Sequence, residues 1–127
     1  MGKRYEEVET DTGTILRYKR HENGGGMISP GAWVDPSAYV SRSGYVEAGA
    51  HVSANAWIGA GTWVDSGASV EAGARLGAAV HVGRGATVGR GARVGSNTRI
   101  GIGASVRAGA TVPGDAVISG AELQEVA

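Results

Sequence analysis

The sequence has no cysteine, no phenylalanine and only three prolines among its 127 residues. The lack of cysteine excludes disulfide bridges, thiol nucleophiles and cysteine metal sites. Valine and alanine supply most of the apolar residues, so a thick core of large side chains is excluded as well. Long apolar runs and a signal-like N-terminus are also lacking. We therefore expect a soluble protein made in the cytoplasm, without a membrane partner.

The chain also lacks a net charge, because 12 lysines and arginines balance 12 acidic residues. The balance conceals a gradient along the sequence. Residues 29–71 carry four acidic residues and one arginine, whereas the residues from 72 onward carry six arginines and three acidic residues. We interpret these charges as solvated faces and ion pairs between subunits. An anion-binding site on the basic half is the alternative interpretation.

What the sequence does contain is a six-residue repeat. A branched aliphatic residue returns at every sixth position from Val34 to Ile118, preceded by a small residue two places earlier. Glycine or asparagine often follows three places later, where it suits the positive φ of a tight corner. The period fits a short strand that points one large side chain inward and then turns. Three such units close a triangular coil, so residues 29–121 predict an all-β parallel β-helix of about five coils.

The residues on either side do not follow the repeat. Residues 5–10 and 14–19 flank Asp11-Thr12-Gly13 and predict a charged β-hairpin or an extended arm within residues 1–28. A glycine-rich stretch at residues 23–26 predicts a flexible joint, and residues 122–127 form a short tail. The stacked triangular coils form a prism. We expect the arm to dock on the prism of its own chain, on a sister subunit or on a foreign partner. Its docking residues would be Tyr5, Val8, Ile15, Leu16 and Tyr18.

The residue before each aliphatic residue points outward, and positions eighteen apart stack on one face of the prism. By this rule all five aromatic residues of the repeat fall in the first two coils, spread over three faces. We expect them to line a subunit interface or to lie under the arm, and stacking on a sugar or nucleobase is the alternative. Nucleic acid is disfavoured, since the aromatic residues and the arginines occupy opposite ends. The predicted interface set is Trp33, Tyr39, Tyr45, Trp57, Trp63 and Arg75.

Many repeats begin with an aliphatic residue followed directly by glycine. Examples are Ile58-Gly59, Leu76-Gly77, Val82-Gly83, Val88-Gly89, Val94-Gly95 and Ile100-Gly101. This pattern resembles the hexapeptide repeats of left-handed parallel β-helix proteins. The resemblance implies a left-handed coil and a homotrimer. It also implies acyl transfer from acyl-CoA or acyl carrier protein in many members, with γ-class carbonic anhydrases and structural proteins among the others.

For an acyltransferase, the resemblance implies a histidine base in a cleft between subunits, and the candidates are His81 and His51. Four arginines are candidates for holding CoA phosphates: Arg84, Arg90, Arg93 and Arg99. In several of these enzymes, however, the histidine follows the aliphatic residue by two places. This chain has residues such as Arg42 and Ala54 in those places. It also lacks the loop that often interrupts the repeat. A zinc site made of three imidazoles is disfavoured too, because the two repeat histidines lie thirty residues apart on different faces and could meet only across a subunit interface.

These departures favour a non-enzymatic role. We predict a rigid homotrimeric prism without a cofactor that acts as a spike, decoration or scaffold element, for example on a virion. Its N-terminal arm would fasten it to the larger assembly. The alternative is an acyl-CoA-dependent O- or N-acyltransferase with an intersubunit site, using acetyl-CoA or another acyl-CoA and either His81 or His51 as the base.

Overall fold

The computed structural model describes residues 5–9, 15–119 and 123–124, with side chains for residues 18–119. All regular elements in these ranges are β-strands, and most are two residues long. The strands are β1 (Tyr5–Glu9), β2 (Ile15–Arg20), β3 (Met27–Ile28), β4 (Trp33–Val34), β5 (Tyr39–Val40), β6 (Tyr45–Val46), β7 (His51–Val52), β8 (Trp57–Ile58), β9 (Trp63–Val64), β10 (Ser69–Val70), β11 (Arg75–Leu76), β12 (His81–Val82), β13 (Thr87–Val88), β14 (Arg93–Val94), β15 (Arg99–Ile100), β16 (Ser105–Val106), β17 (Thr111–Val112), β18 (Val117–Ile118) and β19 (Leu123–Gln124).

The strands form three sheets, one for each wall of the prism, and the short strands from β3 onward pair in parallel. Sheet A has the order β1-β2-β3-β6-β9-β12-β15-β18, sheet B contains β4, β7, β10, β13, β16 and β19, and sheet C contains β5, β8, β11, β14 and β17. Paired residues within the parallel part are eighteen apart, as in Val64 opposite Val82. This confirms the predicted left-handed parallel β-helix of about five coils. Strands β3 and β19 extend the repeat by one unit at each end of the predicted region.

The aliphatic residues of the repeat form one continuous core along the prism axis. From Val40 to Ile118 these side chains are buried, together with most of the small residues that precede them by two places. Each core residue packs on its equivalents in the coils above and below. The stack therefore buries a hydrophobic interior that no single coil has on its own.

The corners of the coils use the left-handed backbone conformation that the sequence predicts. Every sixth residue from Gly49 to Asp115 has a positive φ, and most of these residues are glycine, asparagine or aspartate. Ala79 is the exception, with a φ of 57°. An alanine in this conformation costs about 1–2 kcal/mol, because its Cβ approaches the following carbonyl oxygen.

We expect Ala79→Gly to raise the free energy of unfolding by about 1 kcal/mol, because it removes this steric cost. The matched control is Ala78→Gly, one residue earlier, where φ is not positive and where added backbone freedom destabilises the fold. Thermal unfolding followed by circular dichroism measures both variants. Equal destabilisation by the two substitutions would contradict the strain at Ala79.

One corner of the prism differs from the other two. The small-residue positions that are not alanine, namely Gly44, Thr62, Val80 and Thr98, are eighteen apart and stack in a single column. Thr62 Oγ1 donates to Gly77 O at 2.6 Å and accepts from Val80 N at 3.1 Å, so its hydroxyl bridges the turn of the coil above. Thr98 bridges Pro113 O and Ala116 N in the same way. Both threonines are buried, and the bridges satisfy their hydroxyl groups.

The N-terminal segment forms the predicted hairpin and continues sheet A. β1 pairs antiparallel with β2, and β2 pairs antiparallel with β3, which begins the helical stack. The glycine-rich stretch is a hydrogen-bonded turn and not the flexible joint that its composition predicts. Gly26 N donates to Val40 O, Val40 N donates to Asn23 O, and a Cβ on Gly26 would clash with the Val40 side chain. Close packing therefore explains the glycine at position 26 better than flexibility does.

Within the described residues, the structure contains no helix of the length and apolar character needed to cross a bilayer.

Candidate active site

The outer surface of sheet A brings a histidine and a carboxylate together. His81 is the outward residue of β12, and Asp65 follows β9 one coil below. His81 Nε2 lies 3.4 Å from Asp65 Oδ2, and the two side chains are 31% and 20% exposed. Asp65 Oδ1 accepts a hydrogen bond from Ser66 N at 2.7 Å, which orients the carboxylate. Because a carboxylate only accepts hydrogen bonds, this contact assigns the hydrogen to Nε2 and leaves Nδ1 as the basic nitrogen of neutral His81.

A connected series of aromatic and acidic side chains supports this pair from below. The Trp63 indole stacks on the His81 ring with a centroid separation of 4.5 Å and an interplanar angle of 13°. Trp63 Nε1 donates to Glu47 Oε2 at 2.7 Å, and the Tyr18 hydroxyl donates to Glu47 Oε1 at 2.8 Å. Tyr18 also meets Tyr45 edge to face at 5.6 Å. Aromatic and acidic groups thus form one contact chain from the hairpin to His81.

The four candidate phosphate-binding arginines do not converge within one chain. Arg99 is the Cα partner of His81 in sheet A, and Arg84 lies at the corner just after β12. Arg93 pairs with Arg75 in sheet C, and Arg90 lies at the corner between sheets B and C. All four side chains are exposed. Only Arg84 and Arg99 therefore share a side of the prism with His81.

The second candidate base, His51, occupies a different environment on sheet B. Its ring lies 4.4 Å from Trp33 with a tilt of 42°. Asp35 stands in the slot that corresponds to Asp65, but its Oδ1 accepts from Ser37 N at 2.9 Å and from Ser37 Oγ at 2.7 Å. The hydrogen bond from the Ser37 hydroxyl is the main reason why the pKa of Asp35 is lowered. The carboxylate of Asp35 is therefore engaged by Ser37, whereas the carboxylate of Asp65 contacts His81.

The predicted interface residues lie on the outside of all three sheets, as their spacing indicates. On sheet C, Tyr39 stacks on Trp57 at 4.0 Å and 22°, and Arg75 Cζ lies 5.9 Å from the Trp57 ring centroid. Trp33, Trp57 and Trp63 are each more than two-fifths exposed. Whether these residues form a subunit interface stays a prediction.

Of the predicted docking residues, Tyr18 is buried against sheet A. Tyr5 and Val8 belong to β1, and Ile15 and Leu16 belong to β2. The side chains of these four residues lie outside the described part of the chain.

A groove of about 600 Å³ opens at the N-terminal end of the prism. Its lining residues are Lys19, Arg20, His21, Glu22, Ile28, Ala32, Trp33, Val34 and Pro36. Arg20 donates to Gly25 O and Arg42 O, and His21 Nε2 lies 2.8 Å from Ala38 O, so both side chains have structural partners. Within the described residues, no three His, Cys, Asp or Glu side chains are close enough together to hold a metal ion.

The chain resembles known proteins only among solved structures. No protein-family model and no curated protein sequence matches the chain. PerB from Caulobacter crescentus, solved with CoA and GDP-perosamine, is 36% identical with a TM-score of 0.71 over 72% of this chain and 44% of its own. The acetyltransferase domain of PglB from Neisseria gonorrhoeae, solved with acetyl coenzyme A, is 28% identical with a TM-score of 0.63, over 79% of this chain and 57% of its own.

A hexapeptide transferase family protein from Anaplasma phagocytophilum is also similar, at 18% identity and a TM-score of 0.52, over 76% of this chain and 70% of its own. The chain is a hexapeptide-repeat left-handed β-helix protein. This hexapeptide-repeat protein spans about half the length of PerB and PglB, the two structures above that were solved with a CoA compound.

The comparisons correct the functional prediction made from the sequence. The prediction of a non-enzymatic spike, decoration or scaffold element is wrong, because two of the similar structures, PerB and PglB, are acetyltransferases solved with CoA or acetyl coenzyme A. They favour the alternative, an acyltransferase of the hexapeptide-repeat family. A place in a virion likewise has no support.

Proposed function

We propose that this hexapeptide-repeat protein is an acyl-CoA-dependent acyltransferase with His81 as its general base. The observation that carries the proposal is the partly exposed His81–Asp65 pair, 3.4 Å apart on the wall of the prism. The similarity to acetyltransferases solved with CoA or acetyl coenzyme A supports the same reaction class.

The chemistry follows from the assignment of the imidazole hydrogens. Asp65 accepts the hydrogen bond from Nε2–H and stabilises the positive charge that the ring acquires. Nδ1 takes a proton from an amine or hydroxyl acceptor as that group attacks the thioester carbonyl carbon. The tetrahedral intermediate collapses with cleavage of the carbon–sulfur bond. The imidazolium then returns its proton to the departing CoA thiolate, which leaves an amide or ester and a neutral His81.

The charge gradient along the prism would direct the CoA donor and the acceptor to opposite sides of His81. Arg84 and Arg99 lie beside or above His81, where their guanidinium groups would bind the phosphates of the CoA donor. The carboxylates of Glu47 and Asp65 lie on the coils below His81 and would repel those phosphates. We therefore place the CoA donor above His81 and the acceptor below it.

We also propose that the protein is a homotrimer and that its active site lies between subunits. Arg90 and Arg93 lie on other faces of the prism than His81, so they would contact the same CoA only from a neighbouring subunit. The exposed aromatic residues of the first two coils are the proposed contact surface. Attachment of the hairpin to a larger assembly stays a prediction.

The test is the release of free thiol when the full chain is incubated with acetyl-CoA and a panel of amino-sugar and hydroxyl acceptors. The chain has no cysteine, so every thiol that appears comes from CoA. We expect acceptor-dependent release. Acetyl-CoA that stays intact with every acceptor, and does not bind, would count against the proposed reaction.

The arginine assignment gives a separate prediction. We expect the double variant Arg84→Gln, Arg99→Gln to raise the KM for acetyl-CoA roughly tenfold, because two charge-assisted phosphate contacts are lost. The value of kcat should change little. Arg42→Gln, an exposed arginine in the acidic half of the repeat, is the matched control and should keep the KM of the unmodified protein. An equal rise in KM for both variants would show a general charge effect and contradict the assignment.

A further inference from the structure

Glu47 lies between two hydrogen-bond donors on the outer surface of sheet A. One carboxylate oxygen accepts from the Tyr18 hydroxyl at 2.8 Å, and the other accepts from Trp63 Nε1 at 2.7 Å. Glu47 is itself partly buried. Burial raises the pKa of the Tyr18 hydroxyl, and the hydrogen bond to Glu47 raises it further, so Tyr18 stays protonated and remains a donor. Both carboxylate oxygens are therefore held in place.

The Trp63 side chain is 43% exposed, yet its ring is held in one orientation. An exposed indole on a flat wall has several accessible rotamers. Here the hydrogen bond to Glu47 fixes one edge of the ring, and the face stacks on His81 at 4.5 Å with an angle of 13°. The orientation of Trp63 thus depends on Glu47, and the plane of the His81 ring depends on Trp63.

Sheet C provides a natural comparison. Trp57 occupies the slot of Trp63 on that wall, and Ser41 occupies the slot of Glu47. Trp57 stacks on Tyr39 in the coil below, whereas Trp63 stacks on His81 in the coil above. The carboxylate at position 47 thus accompanies a tryptophan ring that faces the candidate base.

We propose that Glu47 is a positioning residue for His81, that it acts through the Trp63 indole, and that Tyr18 of the hairpin completes the arrangement. Stacking on Trp63 sets the plane of the imidazole, and Asp65 sets its rotation within that plane. Together the two contacts aim Nδ1 at one point on the surface. The predicted effect of Glu47 on turnover rests on the proposed acyltransferase function. The predicted effect of Glu47 on the orientation of the His81 ring does not depend on that function.

Other charged groups on this wall also influence His81. Asp65 contacts its Nε2, Arg99 is its neighbour in β15, and Arg84 lies at the adjoining corner. Glu47 is one coil further away and reaches His81 through Trp63. A variant of Glu47 therefore changes the electrostatic field at His81 less directly than a variant of Asp65, and the positional effect has to be measured separately.

The test combines nuclear magnetic resonance with a double-mutant cycle on the full chain. The His81 side-chain ¹⁵N shifts report its tautomer and its titration, independently of any activity. We expect Glu47→Ala to reduce the excess of the Nε2–H tautomer and to lower kcat roughly tenfold, because the ring loses its fixed plane. The KM for acetyl-CoA should stay the same. Glu47→Gln should have a smaller effect, since an amide oxygen still accepts a hydrogen bond from Trp63.

The cycle tests whether Glu47 acts through the indole. In a Trp63→Phe background, which keeps an aromatic ring but removes the indole N–H, Glu47→Ala should have little further effect. An effect of full size in that background would overturn the proposal, as would unchanged His81 shifts in Glu47→Ala itself. Glu71→Gln, an exposed glutamate directly after the aliphatic residue of β10, is the control for loss of one negative charge.

These measurements distinguish failure of the positioning role of Glu47 from failure of the acyltransferase function. If the unmodified protein releases no CoA with any acceptor while Glu47→Ala still changes the His81 tautomer, the positioning role stands and the acyltransferase function is wrong. If turnover is present and the His81 shifts do not respond to Glu47, the function stands and the positioning role is wrong.

Discussion

His81→Ala is expected to lower the turnover of acetyl-CoA by about 10²- to 10⁴-fold, the usual contribution of a positioned general base. The loss should fall on kcat, because His81 acts on the acceptor proton and not on the phosphates of the donor. The side chain is partly exposed and lies outside the core, so the variant should melt at the same temperature as the unmodified protein. Initial rates of thiol release, measured beside thermal unfolding curves, separate the catalytic effect from loss of fold.

Two further variants test whether the loss of turnover is specific to the His81–Asp65 pair. Asp65→Asn keeps the shape of the side chain but removes its charge, and we expect it to lower kcat by about tenfold or more. His51→Ala removes the other repeat histidine, which lies against Trp33 on a different wall, and should keep nearly full turnover. Loss of turnover in His51→Ala with full turnover in His81→Ala would reverse the assignment of the base.

Gly89→Ala is expected to destabilise the fold strongly. A Cβ at this position would lie 2.5 Å from Ala108 N and 2.8 Å from Arg107 C in the coil above. These are backbone atoms, so two coils must move apart and the hydrogen bond from Gly89 N to Val106 O must be strained. We expect a loss of about 3 kcal/mol or more, which lowers the melting temperature by about 10 °C.

Gly91→Ala, two residues further along, is the matched control for Gly89→Ala. A Cβ at Gly91 meets nothing within 4 Å, but the residue has a φ of 69°. Its replacement should lower the free energy of unfolding by only about 1–2 kcal/mol, which is the cost of a left-handed backbone conformation at a residue with a Cβ. Equal losses for the two variants would show that coil spacing is not what requires glycine at position 89.

The fold follows from the sequence because a six-residue period has one simple solution. The spacing correctly places the aliphatic residues in the core and positive φ at the corners. It also places Tyr45, Trp63, His81 and Arg99 in one outward row of sheet A. Even the buried threonine bridges have a sequence signal, since Thr62 and Thr98 lie in the one column where alanine is replaced. Backbone geometry that repeats without interruption makes all of these positions predictable.

The candidate site was harder to predict because it depends on contacts between coils. The outward-facing rule points to the residues before each aliphatic residue, whereas Asp65 and Glu47 come directly after one. Each meets a side chain sixteen residues later, Asp65 with His81 and Glu47 with Trp63. An acidic residue sixteen places before a histidine is thus a usable signal. It is incomplete, because Asp35 has the same spacing to His51 but accepts hydrogen bonds from Ser37 instead.

The function could not be read from the repeat because the repeat specifies only the prism. The histidines come before the aliphatic residues and not two places after them, and this difference led to the prediction of a structural role. The structure shows that a histidine in that slot can still meet a carboxylate from the coil below. Position within the hexapeptide therefore constrains the direction of the side chain without deciding its chemistry.

Calorimetric titration of the chain with acetyl-CoA is the decisive test of the proposed acyltransferase function. We predict saturable binding at one site per subunit, with a Kd between about 1 µM and 1 mM and an affinity that falls as salt is added. The double variant Arg84→Gln, Arg99→Gln should bind more weakly, whereas His81→Ala should bind as the unmodified protein does. An absence of binding heat with acetyl-CoA well above 1 mM, together with no chemical-shift change at His81, would contradict the proposed acyltransferase function.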